Sequence, residues 1–321
     1  MKKIALACLA ALALLSGTGC EKIIEFKGEQ TEPRLTVSAQ AEVGKPLEAF
    51  LASSIFFLAD TRDGKAFIEK LDTAKGRVCC YVNGAKTPHV MEWQPKEGEP
   101  HLHYLSDYVP APGDHIRVEA EFPGFDSVWA ETVVPLMPAF ELVSAKSRRM
   151  TSADWEWIID EEDPYFQLEI TLALTDDPDR DNYYLLQPVM TADYPYLQEE
   201  YVAPFDFSSN DVLFQGINGQ GLPDTFGDAD HFFTDALIKG QRHVFTITIS
   251  GLPSSEQLTR FTLHAAAIDE SMYWYGQSYK QFGPGLDGLF SEGRPLYTNV
   301  HGGYGVVCSA ASKWLDVEVD W

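Results

Sequence analysis

The stretch DHIRVEAEF, Asp114 to Phe122, alternates without interruption. Ile116, Val118, Ala120 and Phe122 fall on one face, and Arg117, Glu119 and Glu121 on the other. Successive side chains of an extended chain point to opposite sides, so this period of two means a half-buried strand and argues against an amphipathic helix. The pattern recurs along the chain. RLTVSAQA aligns Leu35, Val37, Ala39 and Ala41; FQLEITLAL aligns Leu168, Ile170, Leu172 and Leu174; HVFTITIS aligns Phe245, Ile247 and Ile249. FTLHAAA continues it, and WLDVEVDW sets Leu315, Val317, Val319 and Trp321 against Asp316, Glu318 and Asp320. VCCYVNGA adds a strand ending in Asn83-Gly84, a hairpin turn pair, and PAPGD and FPGF mark further turns. Strands at short spacing with Gly/Pro punctuation predict an all-β chain of two β-sandwich domains. The first is Ig-like and covers residues 34–137; the second is larger, carries one short helix and covers 138–321. The boundary is VVPLMP, Val133 to Pro138, where two prolines three apart favour an extended connector.

One segment abandons the period of two. In DESMYWYGQSYKQF, Met272, Tyr275, Tyr279 and Phe282 recur at helical spacing, with Asp269 or Ser271 placed to cap the start. The expectation is a short helix whose aromatic stripe packs on the second sandwich.

The N-terminus has a separate task. Lys2 and Lys3 precede the apolar run Ile4–Leu15, which gives way to Ser16-Gly17-Thr18-Gly19. Twelve apolar residues are too few to span a bilayer, so residues 1–19 read as a signal peptide. Small residues ahead of Cys20 resemble the lipobox of bacterial lipoproteins: Gly19 and Thr18 fit, and Gly17 stands where leucine is usual. Cys20 is therefore expected to carry the lipid that anchors the mature chain to a membrane, with residues 20–33 as tether. The formal charge is -24, and losing residues 1–19 removes two lysines and no acids. Such a chain repels phosphate backbones, which argues against a nucleic-acid partner. Cys79 and Cys80 are adjacent in a strand and point to opposite faces, so only one could meet Cys308. The preferred reading is three buried thiols acting as small hydrophobes.

The ending TRFTLHAAAIDESMYWYGQSYKQF, followed by PLYTNVHGGYGVVCSAAS, resembles the C-terminal signature of a Bacteroidota lipoprotein family, the domain of unknown function 4249. In that family a strand and a short Ser/Tyr-rich helix are followed by an asparagine, a Gly-Gly pair and a further glycine entering the closing strand. Asn299, Gly302, Gly303 and Gly305 occupy those places, while Cys308 stands where an aromatic or aliphatic residue is expected. DRDNYYLL, Asp179 to Leu186, resembles the family's acidic loop feeding a Tyr-Tyr strand. PGDHIRVEAEFPGFDSVWAETVVP resembles the end of its N-terminal module. The resemblance implies an outer-membrane lipoprotein commonly encoded beside a TonB-dependent receptor, with no enzymatic activity and no cofactor. Either side of the outer membrane is open to it, the cell surface being favoured by Glu21, Lys22 and Glu25 after the cysteine. The expected role is a binding or accessory subunit of a TonB-dependent transporter; the alternative is a stand-alone surface adhesin or structural cell-envelope protein.

Motifs with chemistry are few. HGGYG lacks the Lys-Ser/Thr and the following helix of a phosphate loop, so its glycines are read as a tight entry to a strand. TDDPDRDN gathers Asp176, Asp177, Asp179 and Asp181. Carboxylates at that spacing make a weak calcium candidate, but the glycine and terminal glutamate of an EF-hand are missing, and a solvated turn is the simpler account. His101 and His103 share a strand face without a third ligand at diagnostic spacing. No G-x-S-x-G or H-E-x-x-H occurs, and nothing selects a catalytic pair among the acids. The loop TADYPYLQEEYVAPFDF remains as a candidate ligand or partner face. It places Tyr194, Tyr196 and Tyr201 beside Asp193, Glu199 and Glu200.

Overall fold

A computed structural model describes residues 32–54, 76–95, 101–154, 165–193, 200–214, 231–253, 258–281 and 296–318. Among these residues the chain is all-β apart from one helix and a short 3-10 turn at Val212–Phe214.

The first half folds where alternation is cleanest. Strands β1 (Leu35–Glu42), β2 (Glu48–Ser53) and β5 (Leu102–Leu105) form one layer, and β3 (Arg77–Val82), β6 (His115–Glu121) and β7 (Val128–Val133) form the other. Strand β4 (His89–Gln94) passes between them, with His89–Met91 paired to β3 and Glu92–Gln94 paired to β5. Leu35, Val37, Ala39 and Ala41 point inward, as the alternation requires, against Val78, Ile116, Val118 and Ala130. Asn83 and Gly84 both take positive φ, 52° and 70°, and Ala85 N–H donates to Val82 C=O at 2.9 Å. Positive φ at two successive residues is the demand an Asn-Gly pair meets.

The second half stacks two sheets. β8 (Ala139–Arg149), β9 (Phe166–Thr175) and β13 (Arg242–Leu252) make a three-stranded sheet. It faces β10 (Tyr183–Ala192), β14 (Leu258–Ile268) and β15 (Tyr304–Asp316), with β11 (Tyr201–Pro204) and β12 (His231–Thr234) paired to β10. Leu168, Ile170, Leu172 and Leu174 are fully buried between the layers, with Phe245, Ile247, Phe261 and Leu263 around them. Leu315 and Val317 join this core, while Val319 and Trp321 lie outside the described residues.

The halves are joined by β1 and β15, which pair in parallel from Thr36↔Tyr304 to Glu42↔Ala310. That pairing makes one continuous strand path from β11 to β7. Val306–Ala311 are buried without alternation, because β15 has neighbours on both faces. The entry to β15 explains HGGYG. Gly302 and Gly305 have φ of 82° and 106°, and a Cβ on Gly305 would lie 2.0 Å from the Val37 carbonyl oxygen. Backbone fills the space that any side chain would need.

Asn299 and Asp269 complete the seam. Asn299 Nδ2 donates to Val307 C=O at 2.8 Å and to Ser271 Oγ at 3.0 Å, while Val307 N–H donates back to Asn299 Oδ1 at 3.0 Å. Asp269 Oδ1 accepts from Met272 N–H at 3.0 Å and Ser309 N–H at 3.1 Å. Its Oδ2 accepts from Thr132 Oγ1–H of β7 at 2.8 Å. The Met272 bond makes Asp269 the cap of helix α1 (Glu270–Gln281), settling the choice between Asp269 and Ser271.

Candidate functional site

The residues singled out by sequence disperse. Cys20, Tyr194 and Tyr196 lie outside the described residues; Tyr201 begins edge strand β11 and is 45% exposed. The aspartates of TDDPDRDN part company. Asp176 is buried and accepts from Tyr184 Oη–H at 2.7 Å, Gly240 N–H at 2.7 Å and Asn182 Nδ2 at 3.2 Å. Burial and that carboxylate push the Tyr184 phenol well above its ordinary value. Asp177 pairs with Arg180 at 3.0 Å, Asp181 pairs with Lys239, and Asp177 Oδ1 accepts from Asp179 N–H at 3.1 Å. Among the described residues, no group of three or more His, Cys, Asp or Glu side chains is arranged to hold a metal ion. The three cysteines beyond residue 31 are free and buried, with Cys80 raised to about 11 chiefly by burial.

What the tertiary structure assembles instead is a cleft between α1 and the outer face of the long sheet. The sheet supplies its floor by register. Ser38 stands opposite Val306 on one side and Phe50 on the other, and Phe50 stands opposite His103, so one row crosses four strands. In the next row Gln40 stands opposite Cys308. Phe50 stacks on His103 with centroids 4.9 Å apart and meets His101 edge-on at 4.8 Å. The two histidines thus share a face, as their spacing requires, and flank the ring at the rim.

Helix α1 supplies the wall. Met272 and Tyr273 pack on Leu185, Phe232, Ala266, Ile268 and Ala310. Gly276 lets the helix sit directly on Phe232, since a Cβ there would come within 2.6 Å of the ring. This shifts the stripe from its expected role. With Gly276 at the point of closest approach, Tyr275 and Tyr279 come out along the cleft, and Tyr279 is 59% exposed. Their rings stack at 6.4 Å, and Phe282 lies outside the described residues.

The cleft has a volume of about 350 Å³, within the range of small-molecule sites. Rings and aliphatic groups dominate its lining, and Ser38, Gln40 and the tyrosine hydroxyls give polar edges. Among the described residues no charged side chain lines it. Burial raises the Tyr275 phenol, and it raises the Cys308 thiol far above its ordinary value with help from the Asp269 carboxylate. Both groups stay protonated at neutral pH. Such a surface can hold a ligand by contact and directed hydrogen bonds. Sequence reasoning missed it because its members come from five separated segments; the one local signal was a glycine inside an aromatic helix.

No curated protein matches this chain. Among solved structures, it is similar over 91% of its length to 98% of the Fcho1 Mu homology domain of Danio rerio with bound Eps15 peptide. The identity is 9% and the TM-score 0.19, a likeness that carries no argument. A family model described as Domain of unknown function (DUF4249) matches residues 21–314, nearly the whole chain, and the protein belongs to that family.

Proposed function

We propose that the protein is a non-catalytic, lipid-anchored outer-membrane protein that binds a ligand in the cleft under α1. In this reading it serves a TonB-dependent transporter as a binding or accessory subunit. The observation that carries the binding role is the cleft, whose lining offers aromatic faces and neutral hydrogen-bonding groups. The anchor is supported by the small residues before Cys20, and the transporter by membership of a family whose signature the chain carries.

Two experiments test this. Membrane fractionation of Cys20→Ser is expected to move the folded protein from the membrane to the soluble fraction; retention in the membrane would refute the anchor. Purification from detergent-solubilised membranes is expected to bring a TonB-dependent transporter with it, and recovery of the lipoprotein alone would favour a stand-alone adhesin.

A further inference from the structure

The cleft lies within a strongly acidic chain, yet its own lining is electrically silent. Behind its floor, the Asp269 carboxylate is occupied by Met272 N–H, Ser309 N–H and Thr132 Oγ1–H. Two consequences follow for a ligand. An anion would leave water for a site with no cationic side chain in its lining and a carboxylate behind its floor, a cost that no contact here offsets. A cation would give up its hydration for ring faces alone, since the Asp269 carboxylate behind the floor is already taken by three donors, so only the modest attraction of the rings offsets that loss. An uncharged molecule pays neither cost.

Shape narrows the class further. The floor is apolar at Val306, Cys308, Phe50 and Phe232, with Ser38 as its hydroxyl, and the Tyr275–Tyr279 pair offers flat faces along one side. Gln40 is exposed, so the amide edge lies at the mouth and the apolar surface within. A flat ring fits that order, with its apolar body inside and a polar edge directed outward. A polyhydroxylated sugar would place several hydroxyls against a floor where Ser38 alone offers a side-chain partner, and most would stay unpaired.

From this we infer that the cleft takes an uncharged aromatic small molecule, held by the rings of α1 and Phe50 with a polar edge toward Gln40. The inference rests on the reading of the cleft as a binding site.

The test uses the full chain carrying Cys20→Ser, so that no detergent competes, with three probes: neutral N-phenylnaphthylamine, anionic anilinonaphthalene sulfonate and maltose. The neutral aromatic probe is expected to bind saturably with one site per chain. Ser38→Phe, which fills the cleft from the sheet side, should weaken it at least tenfold. Tyr279→Ala, a change at a largely exposed helix position, should weaken it roughly three- to tenfold. If the sulfonate or maltose binds in a way Ser38→Phe abolishes while the neutral probe does not, the ligand class is wrong and the cleft remains a site. If no probe binds saturably, or binding ignores both substitutions, the class and the binding role of the cleft fall together.

Discussion

Replacing Asp269 by alanine tests the seam between the two halves most directly. The carboxylate caps α1 through Met272 N–H, receives the Ser309 amide of β15 and holds the Thr132 hydroxyl of β7. Losing an N-cap costs about 1 kcal/mol. Ser309 is fully buried, so its orphaned N–H adds about 1–3 kcal/mol. Thr132 keeps a second partner, the Ser309 hydroxyl at 2.7 Å, and adds little. Asp269→Ala should therefore lose roughly 2–4 kcal/mol in urea unfolding followed by tryptophan fluorescence and far-UV circular dichroism. Asp269→Asn, which keeps an acceptor oxygen, should lose less. The pH dependence separates them further. Burial raises the Asp269 carboxyl above 3.8, so the native chain holds this proton more tightly than the unfolded chain does. The stability it contributes is full below 3.8 and is lost as pH rises through the raised native value. The asparagine variant has no proton to lose, so its deficit relative to wild type should shrink as pH rises through that window. An alanine variant within about 0.5 kcal/mol of wild type would refute this account of the seam.

Other outcomes follow from the same geometry. Gly305→Ala, which would drive a Cβ into the Val37 carbonyl, should cost more than about 4 kcal/mol and abolish cooperative melting, whereas Gly84→Ala, with open space around it, should cost about 1–2 kcal/mol. Leu172→Ala, at a fully buried position between the stacked sheets, should lose about 2–5 kcal/mol in the same titration. Cys79, Cys80 and Cys308 should ignore Ellman's reagent in the native state at pH 8 and all react in denaturant; rapid native reaction would contradict their burial and raised pKa values. A few millimolar calcium should leave the melting midpoint unchanged to within about 1 °C, because the carboxylates of Asp176, Asp177 and Asp181 already have partners; a stabilising shift would overturn that.

Much of the architecture was legible because it is written in local pattern. The inward rows of β1, β6, β9 and β13 are the residues that alternation selected, since a strand buried on one face can satisfy only that order. The helix was legible too, with its cap narrowed to Asp269 or Ser271, as was the role of the glycines at the entry to β15. The partners of the acidic turn were not legible, because spacing records which carboxylates are near and not what each of them meets. Lys239 and Gly240 reach the aspartates from more than fifty residues away.

By itself, the sequence determined the strands, their faces and the exceptional helix, since each depends on neighbours a few residues apart. Only the tertiary structure decided that β1 lies parallel to β15, because that register pairs residues 268 positions apart and is held by backbone that no periodicity reveals. The cleft is a product of that pairing. It exists where α1 crosses the row of Val306, Ser38 and Phe50, and no short stretch of sequence contains that crossing.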